Sequence, residues 1–418
     1  MAQHDDDGAR ATQPHRGPDS GHQSPHHQVL IIGGGNAGIS LAARLKRYRV
    51  RGIAVVDPSE QHLYQPFFSH IAGGTAKAES AVRPQESVIP KGVTWLRDAA
   101  TGIDPESKTV TLGSGRSITY EHLVICPGIQ KNWDGIPGLQ DALDSAHGAS
   151  NYSIDLAVKA WRLLSTLRSG TAVFATPDGP ITCGGAAQKP MYLACDYWRS
   201  QGVLQDIRVV LAVPTQTVYG VEIVDEELNR KIAEYGIELR CSTELESVDA
   251  GTHTATLRNN ADGSSEQLQY DVLHAVPPQS APGWIRDTGL ADDDGFVAVD
   301  RSTLQHVTYS TVWSLGDAAG TRNSKSGAAL RQQTKVVAKN LKAVLDGHSP
   351  TQQYNGYGAC PITVSRSTVV LAEFDDARTP KPTVPGWKGL AKERRLTWLV
   401  ERYGFIRLYW YGILKGWA

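Results

Sequence analysis

The chain has 418 residues with 42 Lys and Arg against 43 Asp and Glu, and 40% of it is hydrophobic. At roughly 100 to 200 residues per domain this length predicts two or three domains, and the balanced charge excludes an overall field that would draw the molecule to nucleic acid or an anionic surface. Its five cysteines (Cys126, Cys183, Cys195, Cys241 and Cys360) are scattered and odd in number, with no CxxC pair, which argues against a disulfide framework and against a zinc site.

No run approaches the ~20 consecutive apolar residues that cross a bilayer. Residues 1–27 are rich in Asp, His, Pro, Ser, Gly and Gln, without the apolar core of a signal peptide, and predict a disordered tail. Their acidic residues argue against a mitochondrial transit peptide, so the bacterial cytoplasmic face is expected over a mitochondrion.

The first structured unit opens on the apolar run Gln28-Val29-Leu30-Ile31-Ile32, followed by Gly33-Gly34-Gly35-Asn36-Ala37-Gly38 and then apolar residues at helical spacing over 39–48. Strand, phosphate loop and helix are predicted, and a second strand, Ile53-Ala54-Val55-Val56, completes a βαβ unit ending at Asp57. Further strands are expected at Leu123-Val124-Ile125, over 171–175 and over 207–213. A hairpin is expected around Ala261-Asp262-Gly263, and the chain returns through Val297-Ala298-Val299-Asp300 and Val312-Trp313-Ser314-Leu315 to Gly316-Asp317. The fold class is α/β: two Rossmann-like domains, the second (146–265) inserted in the first (28–145 and 266–350), followed by a C-terminal module over 351–418.

The spacing Gly33-x-Gly35-x-x-Gly38 has a mechanical reason. The first glycine permits the tight turn, the second lets a pyrophosphate approach the backbone, and the third packs helix on strand, while the helix N-terminus offers free N–H groups. Asp57, at the end of the second strand, is placed to accept hydrogen bonds from a ribose diol. Gly316-Asp317 suits the ribityl end of FAD, as in flavoproteins with two dinucleotide-binding domains. Pro127-Gly128 suits the chain crossing between domains, and Asp317 also reads as a helix N-cap.

A second glycine loop would be needed for a nicotinamide cofactor, yet residues 176–183 run Thr-Pro-Asp-Gly-Pro-Ile-Thr-Cys. Two prolines remove N–H donors and stiffen the backbone, so NAD(P)H is not expected as electron donor. Cys183 stands there instead, before an expected helix near Pro190, where a helix N-terminus would favour its thiolate. Taken without context, Cys183 and Cys360 would each more often be inert buried thiols.

His62-Leu63-Tyr64-Gln65-Pro66, Cys183-Gly184-Gly185-Ala186-Ala187-Gln188-Lys189, Ser324-Lys325-Ser326, Cys360-Pro361 and Leu371-Ala372-Glu373-Phe374-Asp375 resemble sulfide:quinone oxidoreductase, in the branch that includes the mitochondrial enzyme. The resemblance spans residues 28 to 418. It implies that Cys183 and Cys360 form the redox pair, bridged at rest directly or through an extra sulfur, with Cys360 carrying sulfane sulfur. It places Lys325 near the flavin and quinone. The FAD shell it implies is Gly33, Gly35, Asn36, Ala37, Gly38, Asp57, Gln65, Ala100, Pro127, Gly128, Gly316, Asp317 and Lys325. It also implies that hydrogen sulfide is oxidised, that two electrons pass via FAD to ubiquinone or menaquinone, and that sulfite, a thiol or further sulfide takes the sulfur. Cys126 departs from the Ala or Thr usual before Pro127-Gly128; it is expected to be inert, like Cys195 on a helix and Cys241 on a strand.

The tail over 387–418 interleaves Trp387, Trp398, Tyr403, Phe405, Tyr409, Trp410, Tyr411 and Trp417 with Lys388, Lys392, Arg394, Arg395, Arg402, Arg407 and Lys415. Aromatics favour the headgroup level and basic groups favour anionic lipid, which predicts a peripheral, monotopic membrane anchor. A helix packed on the core, or at a homodimer interface, is the alternative. Two other functions stay open at this point: a type II NADH:quinone dehydrogenase, and a non-catalytic persulfide relay.

Overall fold

The computed structural model describes residues 25–383 and 388–418. The expected tail over residues 1–24 and the anchor residue Trp387 lie outside the described residues. His26 and His27, assigned to that tail, instead open the first strand, His26–Ile32, where His26 pairs with Thr119 and His27 with Tyr120.

Parallel strands buried on both faces need continuous apolar runs, and Val29-Leu30-Ile31-Ile32 and Ile53–Val56 supply them. The first sheet runs Thr94–Leu96, Ile53–Val56, His26–Ile32 and Ser117–Ile125 side by side, all parallel. Ser117–Ile125 is long enough to serve two partners on its far edge. Its first half pairs antiparallel with Thr109–Leu112, and its second half pairs parallel with Val312–Ser314. The chain thus returns to this sheet after the inserted unit, as the pattern predicts. Residues 297–299, between an Asp-rich turn and another loop, make only isolated bridges to Ala291, Ala319 and His306.

The inserted unit repeats the grammar. Its parallel sheet has the order Gly148–Ala149, Val272–Ala275, Gly170–Ala175, Ile207–Ala212, Glu238–Arg240. An antiparallel meander follows, Thr243–Asp249, Thr254–Asn259 and Ser265–Gln269, with the Asp262-Gly263 turn in its last hairpin. Val272–Ala275 lies between two strands of this sheet, so the unit expected to close at 265 keeps the chain through Ala275. Cys241 falls just past the strand expected to hold it, between Glu238–Arg240 and Thr243–Asp249.

The C-terminal residues do not form a body apart from the rest. The hairpin Gly358–Ser365 and Thr368–Phe374 buries Cys360, Ile362, Val364, Val370, Ala372 and Phe374 in the core of the inserted unit. Beyond it, helical residues run through Arg395–Leu399, a wide π turn at Val400–Phe405, and Ile406–Tyr411. Tyr409, Trp410 and Leu414 pack with Ile39, Tyr64 and Phe67 of the first unit. The two ends of the chain therefore share one apolar cluster. No helix among the described residues is long and apolar enough to cross a membrane.

Candidate functional site

The glycine loop is built as its spacing requires. Gly33 has φ +108°, and a Cβ there would lie 2.3 Å from the Cys126 carbonyl oxygen, because the end of Ser117–Ile125 crosses against it. A Cβ on Gly38 would overlap the Gly33 carbonyl oxygen at 1.8 Å, whereas one on Gly35 meets nothing within 4 Å. The first and third glycines thus serve close packing, and the middle one faces open space at the N-terminus of the helix Asn36–Arg47, which no side chain caps. Among the described residues the Asn36 Oδ1 is buried without a partner, and Asp57 Oδ2 accepts from the Gly34 N–H at 2.5 Å. Uncapped helix N–H groups, an open approach at Gly35 and a waiting side-chain acceptor fit a dinucleotide pyrophosphate and ribose.

Gly316 completes the wall, since a Cβ there would sit 3.5 Å from that of Ala37, and its N–H donates to Gln333 Oε1 at 2.8 Å. Two expected shell residues stand differently. Gln65 is exposed in the turn after Gln61–Leu63, with no side-chain hydrogen bond to the loop among the described residues. Ala100 opens the edge strand Ala100–Asp104 and is buried in the first core.

Cys183 and Cys360 come together although 177 positions separate them: their Sγ atoms lie 3.0 Å apart. Cys183 ends the proline-containing stretch after Gly170–Ala175, where turns replace the strand-to-helix junction of a second glycine loop. It takes the left-handed conformation, φ +50°, rare for a side chain bearing a Cβ, held by the Ala186 N–H on its carbonyl and its own N–H on the Lys325 carbonyl at 2.7 Å. Gly185 lets the turn close over the strand, since a Cβ there would be 2.7 Å from Cys360 Sγ. The helix expected near Pro190 runs Lys189–Ser200.

The two thiols titrate as a coupled pair. Cys183 is drawn down to about 7 by the hydrogen bond from Cys360, with the Lys189 ammonium and the Ala186 N–H acting in the same direction against burial. Cys360 is pushed well above the ordinary thiol range, first by that same bond and then by burial. In the reduced pair these shifts favour the thiolate on Cys183 and the proton on Cys360.

Lys325 lies against the same segment. It is buried, its Nζ donates to the Asp317 carbonyl at 2.8 Å and the Ala319 carbonyl at 3.2 Å, and it lies 4.0 Å from the centre of the Phe296 ring. Burial lowers it to about 8, opposed by the nearby Asp317 and Asp292 carboxylates. Asp317 is pushed up by burial, and its Oδ2 accepts from the Thr182 hydroxyl at 2.9 Å. Cys126 is buried in the first core and Cys195 in the second, and burial pushes both thiols up, in keeping with inert roles.

Several residues at the site carried no sequence signal. Gln279 accepts from the Thr182 N–H at 3.0 Å, and Tyr152 donates to the Thr182 carbonyl at 2.8 Å. Lys189, Glu401, His70 and Thr363 form a buried polar cluster beside the sulfur pair: Glu401 Oε1 is 3.2 Å from Lys189 Nζ, and its Oε2 accepts from Thr363 at 2.8 Å and lies 3.6 Å from His70 Nε2. These groups come from four separate stretches of chain, and of them only Lys189 falls within a motif, the segment that begins at Cys183.

The pattern defining the pyridine nucleotide-disulphide oxidoreductase family matches residues 27–335. The mitochondrial sulfide:quinone oxidoreductases of Mus musculus and Dictyostelium discoideum are each 33% identical over 393 residues, covering 94% and 93% of this chain and 87% and 86% of theirs. The crystal structure of the sulfide:quinone oxidoreductase from Aquifex aeolicus superposes with a TM-score of 0.79 at 19% identity, over 94% of this chain and 92% of that one, a likeness of fold. Type II NADH:quinone oxidoreductases lie further off, at 26% identity or less. Both sulfide:quinone relatives are named mitochondrial, so the expected bacterial location draws no support from them and the mitochondrial alternative does.

Proposed function

The chain belongs to the sulfide:quinone oxidoreductases, within the pyridine nucleotide-disulphide oxidoreductase family, and from that membership we propose that Cys183 and Cys360 are the pair through which it oxidises sulfide. The 3.0 Å approach of their sulfurs is the observation that carries this reading. FAD is the cofactor, and when bound it relays two electrons from the thiolate to quinone.

Hydrosulfide attacks the bridged pair at Cys360: a new S–S bond forms there as a persulfide, and the bond to Cys183 breaks with its electron pair staying on Cys183. Cys183 leaves toward the Lys189 ammonium and the Ala186 N–H, both of which favour its thiolate. A small nucleophile (sulfite, a low-molecular-weight thiol or further sulfide) then takes the outer sulfur, and loss of two electrons re-forms the bridge. The Lys325 ammonium stabilises negative charge that develops beside it. Gly33, Gly35, Asn36, Ala37, Gly38 and Asp57 hold the ADP half of FAD; Pro127, Gly128, Gly316, Asp317 and Lys325 surround the remainder, with Gln65 and Ala100 at the periphery.

The membrane seat is narrower than the whole aromatic tail. Tyr409 and Trp410 are buried inside the protein, whereas Leu396, Leu399, Val400 and Tyr403, spaced along one helical face, are exposed, with Lys392, Arg395 and Arg407 exposed near them. An apolar stripe with basic flanks suits peripheral contact with the bilayer that holds the quinone.

The test is anaerobic addition of sulfide to Cys183→Ser and Cys360→Ser while flavin absorbance is followed. Neither variant should bleach, whereas normal bleaching in both removes the pair from the mechanism. Bleaching of the wild type by NADH instead of sulfide would favour the dehydrogenase reading.

A further inference from the structure

The helical residues near the chain's far end reach the glycine loop itself. His62 is buried beside it, with Nδ1 3.1 Å from both the Gly34 carbonyl oxygen and Gln85 Oε1. Both neighbours only accept, so Nδ1 carries the proton and Nε2 presents a lone pair. The Tyr409 hydroxyl donates to that lone pair at 2.6 Å. Gln85 Nε2 adds a second hydrogen bond to the Gly34 carbonyl at 2.8 Å, and Asp57 takes the Gly34 N–H.

We propose that Tyr409 and His62 are positioning residues for FAD, with Tyr409 holding the His62 ring so that His62 and Gln85 pin the Gly34 carbonyl. This rests on the assignment of FAD to the glycine loop. A trans peptide is planar with its C=O and N–H opposed, so a pinned Gly34 carbonyl turns the Gly35 N–H the other way, toward the exposed face where the pyrophosphate binds. Burial lowers the histidine and raises the phenol, which keeps both neutral and the tautomer single. The same stretch is latched to the helix behind the loop: Arg47 stacks 3.2 Å from the centre of the Trp417 ring, Arg44 donates to the Ala418 carbonyl, and a Cβ on Gly416 would lie 2.7 Å from Arg44 N. Seating of the C-terminal helices and retention of the cofactor are therefore one event.

Tyr409→Phe keeps the ring packing and removes only the donor, leaving a buried lone pair unmatched. The holoenzyme is diluted and FAD release followed by its fluorescence, with Tyr411→Phe, whose exposed hydroxyl meets Arg83, as control. Release from Tyr409→Phe should be faster by about tenfold, the control should be unchanged, and the gap between holo and apo Tm should narrow in Tyr409→Phe alone. In a His62→Ala background Tyr409→Phe should add nothing. Wild-type release from Tyr409→Phe overturns the proposal, as does an equal fall in holo and apo Tm, which marks a purely structural bond. A wild-type protein that purifies without flavin overturns the FAD assignment, and the proposal with it.

Discussion

Lys189 Nζ and Glu401 Oε1 form an ion pair 3.2 Å long with both side chains buried. It ties the first turn of the helix after the Cys183 loop to the π turn of the C-terminal helices, so the charge facing the sulfur pair is held by a residue more than two hundred positions away. The Lys189 ammonium holds Glu401 down to about 2, with His70 and Thr363 assisting, against burial that would raise it.

Lys189→Met should lower stability by about 3 to 5 kcal/mol, since it leaves a buried carboxylate without its cation. In the wild type the sign follows from the depressed carboxylate. Its contribution is present above the unfolded value near 4.5 and is lost as pH falls from there through about 2. Denaturant titrations across the acidic range should show this loss in the wild type and not in Lys189→Met.

The pH profile of thiol alkylation checks the division of labour between the cysteines. In the reduced protein, Cys183 should reach half its maximal alkylation rate near pH 7, and Cys360 should stay unmodified. Cys360→Ala removes the largest stabilising bond and should shift the Cys183 midpoint upward. An unmoved midpoint, read by peptide mass spectrometry, would deny the coupling between the two thiols.

Lys325 is held at about 8, so its positive charge is present below that pH and lost above it. Sulfide-dependent quinone reduction should decline along that limb. Lys325→Arg should extend the limb upward, and Lys325→Met should lower kcat at neutral pH by about ten- to a hundredfold. An alkaline limb that does not respond to the arginine would assign it to another group.

Membrane contact is tested on the exposed stripe alone. Deleting residues 387–418 would also remove Glu401, Tyr409 and Trp410, whose partners lie inside the protein. Leu396→Glu with Leu399→Glu changes only exposed positions, and should weaken flotation with anionic vesicles by about tenfold or more while leaving Tm within a degree or so. Undiminished flotation would reject the stripe.

Gly33, Gly35, Gly38 and Asp57 were legible because the forces on them are local: a turn, a close crossing and a helix start leave their mark within one βαβ unit. Cys183 and Cys360 were legible by resemblance, since nothing in their spacing requires that they meet. The tail was half legible. Its aromatics announce burial at some interface, but sequence does not distinguish the exposed Leu396 and Tyr403 from the inward Tyr409 and Trp410, because a helix of one composition can present either face to either medium. The boundary at 265 missed the strand Val272–Ala275 because a short apolar strand carries no mark of which parallel sheet will take it.

By itself, then, the amino-acid sequence determined the α/β grammar, the dinucleotide loop and the absence of a second one, all consequences of backbone chemistry over a few dozen residues. Only the tertiary structure decided that Cys183 would meet Cys360, that Lys189 would answer to Glu401, and that Tyr409 would stand behind Gly34. Those are effects of charge, burial and hydrogen bonding between segments far apart in the chain, and they exist only once folding has excluded water from between them.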